Sequence, residues 1–234
     1  MNQCTETTID ISGETYPVSI IRKNYSRLSL KIRFSLRVFV SCPNHVSDEE
    51  AIAFMHANMD WLEINMSKIQ WKLSLFPLRE MMAGKKILWF GEVLPVVKNE
   101  ELSVPFKFFN GKLYVPESYY ESLREIENYA KSIVTEKYQI ILSKMVSDTQ
   151  SVLPLSFRLM SGSWGSCNVK TRHINLNSRL YYLPIGLVTY VIIHEILHFH
   201  YPNHGVDFHR RLEKYVPNHR KLERQLKNYD VLLY

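Results

Sequence analysis

A strict alternation of apolar and polar positions begins at Arg27: Leu28, Leu30, Ile32 and Phe34 interleave with Arg27, Ser29, Lys31 and Arg33. Period two marks a half-buried strand, because successive side chains leave opposite faces. Leu36, Val38, Val40 and Cys42 repeat the pattern, with Arg37 on the other face. Paired as a hairpin, the two strands would carry Arg27, Lys31, Arg33 and Arg37 on one outward surface. The turn near Ser35 contains neither Gly nor Asn, which leaves the register open. Residues 1–40 as a whole read as strands. Ser47-Asp48-Glu49-Glu50 has the form of a capping box, and Ile52, Phe54, Met55, Met59, Trp61 and Leu62 follow it, so one helix is expected from there to about Trp71. Between Gly84 and Val115 short strands return, at Lys86–Phe90, Val93–Val97, Phe106–Phe109 and Leu113–Val115, with Gly91-Glu92 and Asn110-Gly111 as turn signals.

Past Pro116 the period changes. Tyr120, Leu123, Ile126, Tyr129, Ile133 and Ile140 recur at helical spacing, which predicts a helix from about Ser118 to Ser147. Strands are expected at Ser156–Met160 and His173–Asn177, joined by the loop Ser161–Cys167. Pro184 suits the first turn of a further helix through His194. The valines and isoleucines around Ile192 would suit a strand equally well, and histidines spaced four apart decide for the helix. Phe208, Leu212 and Tyr215 predict another helix after Gly205, and Pro217 opens a last one near Lys221–Lys227. The expected organisation is α+β: a β-rich region 1–116 with one long helix, then a domain over 117–234. No internal repeat or low-complexity segment interrupts it.

Composition bounds this picture without changing it. The chain has 234 residues, 46% hydrophobic and 22% charged, enough for one large domain or two small ones. The longest apolar run, around Leu187–Leu197, is broken by histidine, so no membrane span is expected. Met1–Glu6 lacks the basic and apolar regions of a secretory signal. Cys4, Cys42 and Cys167 are odd in number and far apart, which points to a reducing cytoplasm rather than a disulfide framework. The net charge of +6 modestly favours anionic partners. Its distribution says more: Arg22, Lys23, Arg27, Lys31, Arg33 and Arg37 fall between Thr15 and Ser47, where no acidic residue occurs.

The densest chemistry lies in His194-Glu195-Ile196-Leu197-His198, followed by His204. On a helix, residues four apart share a face, so His194 and His198 can present nitrogens to one metal ion, with Glu195 beside them to take a proton from water. Val188, Val191, Ile192, Ile193, Ile196 and Leu197 make the surroundings dry, and polar groups buried there need a partner. His204 is the best third ligand, because Pro202, Asn203 and Gly205 favour a turn back toward the helix end. Three imidazoles and an open position suit catalytic Zn2+. The spacing matches that of metzincins, with Tyr201 where those enzymes carry glycine. His200, two residues past His198, points away from the pair. His209 and His219 are expected on the surface of basic helices, His209 with a possible orienting role. Cys167 reads as packed near the active-site helix rather than as a nucleophile. Trp164 and Gly165 would let their turn approach the cleft, and Arg172–Asn177 is a candidate edge strand for holding a peptide. Trp164, Asn177 and Tyr201 are the candidate substrate-binding residues, and of these Asn177 and Tyr201 are candidate oxyanion donors.

Ser163-Trp164-Gly165-Ser166-Cys167, Ile174-Asn175-Leu176-Asn177, Leu180, Pro184, His194–His198 and Pro202-Asn203-His204 succeed one another as in the YgjP-like metallopeptidase family. The chain resembles that family strongly over about Phe157–Pro217 and more loosely back to the N-terminal hairpin. The family is itself distantly similar to the SprT-like and WLM zinc proteases. The resemblance implies a zincin-like domain, with an active-site helix on a small sheet, His194, His198 and His204 as zinc ligands, and Glu195 as catalytic base. Ser163, where the family tends to carry a basic residue, and Phe208-His209, where it tends to carry an aromatic pair, depart from the pattern.

Three function classes follow. The first is a zinc peptidase acting on a peptide or protein. The second is a metal-dependent nucleotide pyrophosphatase that uses the same site on a phosphoanhydride, with the Arg/Lys surface binding phosphate. The third is a nucleic-acid-associated module with a structural metal, contacting nucleic acid through Arg27, Lys31, Arg33 and Arg37.

Overall fold

In the computed structural model, which describes residues 4–145 and 153–233, the chain divides into two compact units, Met1–Phe76 and Pro77–Leu233. The division lies ahead of the second group of strands rather than at Pro116. The reason is packing: Ile87, Leu113 and Val115 from those strands share a core with Ile126, Ala130 and Tyr181 of the segments that follow.

The first unit opens with a hairpin that the alternation pattern did not resolve. Strands β1 (Cys4–Ile11) and β2 (Glu14–Lys23) pair antiparallel around Ser12-Gly13, both at positive φ, as a two-residue hairpin turn requires. Strands β3 (Ser29–Ile32) and β4 (Val38–Pro43) form the expected second hairpin, with Lys31 opposite Phe39, and β4 runs parallel to β2. The sheet order is β1-β2-β4-β3. The single helix expected up to Trp71 is two, α1 (Asp48–His56) and α2 (Met59–Ser74). Asn58 marks the break: its side-chain amide donates to the Phe54 carbonyl at 2.8 Å, a local bond that competes with the helical ladder. The capping box is present in both directions, Glu50 N to Ser47 Oγ at 3.2 Å and Ser47 N to Glu50 Oε2 at 2.8 Å. Ser47→Ala should therefore cost about 1 kcal/mol of stability, read from a shifted urea midpoint at unchanged slope.

The outward basic surface is smaller than its sequence suggests. Arg37 is ion-paired with Glu6 and donates to Ser19 Oγ at 2.9 Å, while buried Arg22 is held by Asp48 and the Val46 carbonyl. Arg33 lies over the Phe39 ring at 4.3 Å. Both carboxylates lie outside the acid-free stretch and reach these arginines only through strand pairing and the start of α1.

The second unit begins with α3 (Leu78–Met82) and the strands β5 (Lys86–Trp89), β6 (Glu92–Lys98), β7 (Lys107–Phe109) and β8 (Lys112–Val115), ordered β5-β6-β8-β7. Helix α4 (Tyr119–Met145) follows; residues 146 and 147 of the expected helix lie outside the described residues. A three-stranded sheet comes next, built from β9 (Leu155–Arg158), β10 (Gly165–Asn168) and β11 (His173–Asn177), then a short 3-10 turn Ser178–Tyr182 and helices α5 (Ile185–Leu197), α6 (Val206–Tyr215) and α7 (His219–Tyr229). The order is β10-β11-β9, so β11 is the central strand and not the expected edge. The edges are β9 and β10, and β10, with the sequence Gly-Ser-Cys-Asn, lacks strand-forming side chains and reads as loop. No described helix is long and apolar enough to cross a membrane.

Two contacts fix the start of α5. Phe90 N donates to the Tyr181 carbonyl at 2.6 Å. A Cβ on Gly91 would lie 2.6 Å from Pro184 Cγ, so the β5–β6 turn approaches the helix start closely enough to require glycine, which also sits at φ +90°.

Candidate active site

Helix α5 is apolar nearly all round, and Val188, Ile192, Ile196 and Leu197 are buried among α4, β10, β11, α6 and α7. That burial settles helix over strand for the β-branched run. His194 and Glu195 occupy its last turn and His198 caps it. Beyond it the chain turns back: Tyr201 N donates to the Leu197 carbonyl at 2.9 Å, and the Tyr201 carbonyl lies 3.0 Å from His198 Nδ1. A proton on Nδ1 donated to that carbonyl leaves Nε2 with a free lone pair.

The return at Pro202–Gly205 brings His204 to the other two histidines. His204 Nε2 lies 2.9 Å from His194 Nε2, and the three rings lie 4.7 to 4.8 Å apart, centre to centre. One nitrogen from each falls within 4.8 Å of the others. Fully buried Phe208 backs all three rings at 4.8 to 5.0 Å. Burial first, then the neighbouring imidazoles, pushes His194 down to about 3, so its ring is neutral at physiological pH. Three convergent imidazoles, each able to turn a nitrogen lone pair to one point, fit a divalent metal of intermediate softness. His200 stands outside this group.

Glu195 is 7% exposed, and burial pushes its carboxyl up to about 7. Gly165 on β10 faces it so closely that a Cβ would lie 2.7 Å from Glu195 Cγ and 2.9 Å from Oε1. Any side chain at residue 165 must displace the carboxylate. Gly165→Ala is therefore expected to shift the Glu195 side chain, which a crystal structure of the variant would show.

The model of the YgjP-like metallopeptidase domain matches residues 26–229. The chain belongs to that family. Among solved structures, the metallopeptidase zymogen of Methanocaldococcus jannaschii, jannalysin, is similar at 22% identity, with a TM-score of 0.36, over 40% of this chain and 92% of that one. No curated protein matches significantly. The protein is thus a metal-dependent protease by family, with a peptide or protein as substrate class.

For a YgjP-like metallopeptidase the cleft is well formed. It measures about 700 Å³ and includes His194, Glu195, His198 and His204 among its lining residues. Trp164 and Gly165 also line it, as expected, but the Trp164 indole donates to Asp230 Oδ1 at 3.1 Å and is 5% exposed, which makes it a strut of the wall. Asn177 is fully buried. Its amide donates to the Met160 and Ser163 carbonyls at 2.7 and 2.9 Å, and its oxygen accepts from Arg179 N at 3.0 Å. Those bonds hold the loop ahead of β10 and leave no donor for an oxyanion, contrary to the expectation for Asn177. Tyr201 also differs from expectation: it borders a separate cavity with Met145 and Arg211, and its carbonyl orients His198.

His209 lines the cleft and stacks on His219 at 5.7 Å; His219, the first residue of α7, is buried and not on the surface, its ring packed against that of His209. Burial and the nearby Glu195 carboxylate push the Cys167 thiol up to about 11, unsuited to a thiolate nucleophile. Two cleft residues escaped the sequence reading. Tyr190 stands one turn before His194 and could have been found from that spacing, whereas Glu223 reaches the cleft only through the packing of α7.

Proposed function

We propose that the protein is a zinc-dependent peptidase in which His194, His198 and His204 hold the metal and Glu195 is the general base, within a zincin-like domain. The observation that carries this reading is the convergence of three imidazoles beside a buried carboxylate in an open cleft. A divalent metal held there supplies Lewis acidity, polarising a carbonyl and easing the ionisation of water. Glu195 takes the proton of the attacking water and returns it to the leaving amine, and its raised pKa matches the operating pH of a base that must also act as an acid. The edge of β10, one wall of the cleft, offers unpaired backbone groups to an extended peptide, which moves the strand-addition role from β11 to β10. Unpaired Cys4, Cys42 and Cys167 support a cytoplasmic setting.

The cleft lining favours a peptide over a phosphoanhydride. Among the described residues that line it there is no Lys or Arg, whereas triphosphate chemistry relies on cations at the transferring group. The exposed Arg27, Lys31 and Arg33 belong to the other compact unit and are the remaining support for a nucleic-acid contact. Incubation with an unfolded protein and with nucleoside triphosphates, each with and without chelator, tests the assignment: chelator-sensitive peptide cleavage is expected, and nucleotide hydrolysis alone would overturn it.

The pH profile follows from Glu195. A base must be deprotonated, so kcat/KM is expected to fall as pH drops through the Glu195 pKa. That limb should lie at or below about 7, since a bound cation pulls the carboxyl down from its metal-free position. Stopped assays from pH 5 to pH 9 in constant ionic strength check it.

A further inference from the structure

We propose that Glu223 and Tyr190 form a subsite of the cleft that selects substrates carrying a Lys or Arg side chain beside the scissile bond, an inference that rests on the peptidase reading. Glu223 is, with Glu195, one of two carboxylates among the cleft-lining residues, and no cationic side chain lines the cleft beside it. Tyr190 is 5% exposed, and its ring lies 5.8 Å from that of His194 on the same face of α5, so it borders the reacting centre. Its hydroxyl makes no hydrogen bond to any described residue and is not among the buried orphaned polar atoms, so it is available to a ligand in the cleft. Glu223 lines the same cleft as Tyr190 and the three histidines.

Between these polar groups the wall is apolar: Val191, Leu212 and Leu226 face the same space. An apolar floor with a carboxylate and a phenol at its end matches the anatomy of a lysine or arginine side chain. The methylene stem packs on the aliphatic residues while the head group meets the carboxylate. An acidic side chain would face both Glu223 and Glu195 and be repelled. A purely aliphatic one would cover the carboxylate and give it no partner. Lys227 already approaches Glu223 at 3.5 Å, but both side chains are well exposed, and such a helical i,i+4 pair is weak enough for a substrate cation to share the carboxylate.

Two measurements test this. First, metal-loaded protein digests an unfolded protein mixture, and the residues flanking each cut are identified by mass spectrometry. Lys and Arg should be enriched at one flanking position by roughly three- to tenfold, an enrichment lost in Glu223→Gln and replaced by Asp and Glu in Glu223→Arg. Cuts without basic enrichment, or enrichment unchanged in both variants, would overturn the subsite. Second, binding is measured without turnover, by fluorescence anisotropy of the Glu195→Gln protein with a labelled alanine-rich peptide carrying a central arginine, or the neutral isostere citrulline. Tighter binding of the arginine peptide, abolished by adding Glu223→Gln, supports the proposal even if no cleavage is ever observed, which would count against the peptidase reading instead. Equal binding of the two peptides overturns it.

Discussion

Glu195→Gln is expected to reduce peptide hydrolysis by about 10²–10⁴-fold while metal content stays at the wild-type level. Glutamine has the same shape, so the close contact with Gly165 is kept, and the substitution removes only the ability to accept a proton. Turnover of a quenched peptide measured beside elemental analysis separates loss of the base from loss of the metal; unchanged turnover in a metal-loaded variant would exclude Glu195 as base. The same variant has a signature in stability. The Glu195 pKa is raised from 4.5 to about 7 in the metal-free fold, so the native state binds the extra proton between those values and loses stability as pH rises through them. His194 is depressed to about 3 and contributes the opposite slope below its unfolded value of 6.5. Comparing metal-free wild type with metal-free Glu195→Gln cancels the His194 contribution. The variant should gain in relative melting temperature from pH 4.5 to pH 7 and hold that gain above it.

The second large effect is loss of the metal itself. His204→Ala and His198→Ala should each bring bound metal from near one equivalent to well below it, and abolish hydrolysis with it, because two imidazoles seldom retain a catalytic ion against dialysis. The two variants should differ in what remains. His204 is exposed on the returning loop and its removal leaves α5 untouched, so folding should be unaffected by circular dichroism. His198 is half-buried, is tied to the Tyr201 carbonyl and stacks on Phe208 at 5.0 Å, so its alanine variant should also loosen the loop after α5 and show faster amide exchange there. Metal bound at full stoichiometry to either variant would rule out the triad.

How much of this was legible in the chain varies with the range of the interaction. The capping box at Ser47, the turn at Asn110-Gly111, and helices α4, α6 and α7 are written in local periodicity and turn chemistry, while the turn expected at Gly91-Glu92 falls one residue earlier, at Phe90-Gly91. Strand β10 was not legible, since a strand with no apolar alternation is held only by its partner β11, nor was the break at Asn58, where no Pro or Gly stands. The hairpin of β1 and β2 had a signal in Ser12-Gly13 that alternation alone did not expose.

By itself the sequence determined the α+β class, the pairing of His194 and His198 on one helical face, and the position of Glu195 beside them, because the helical period acts within a single turn of chain. Only the tertiary structure decided that Asn177 is a buried brace, that β11 is the central strand and β10 an edge, that Arg37 is already neutralised by Glu6, and that Tyr190 and Glu223 share a cleft with the histidines. Each of these depends on which distant segments pack together, and a hydrogen bond or charge pair across tens of residues leaves no periodic trace in either partner.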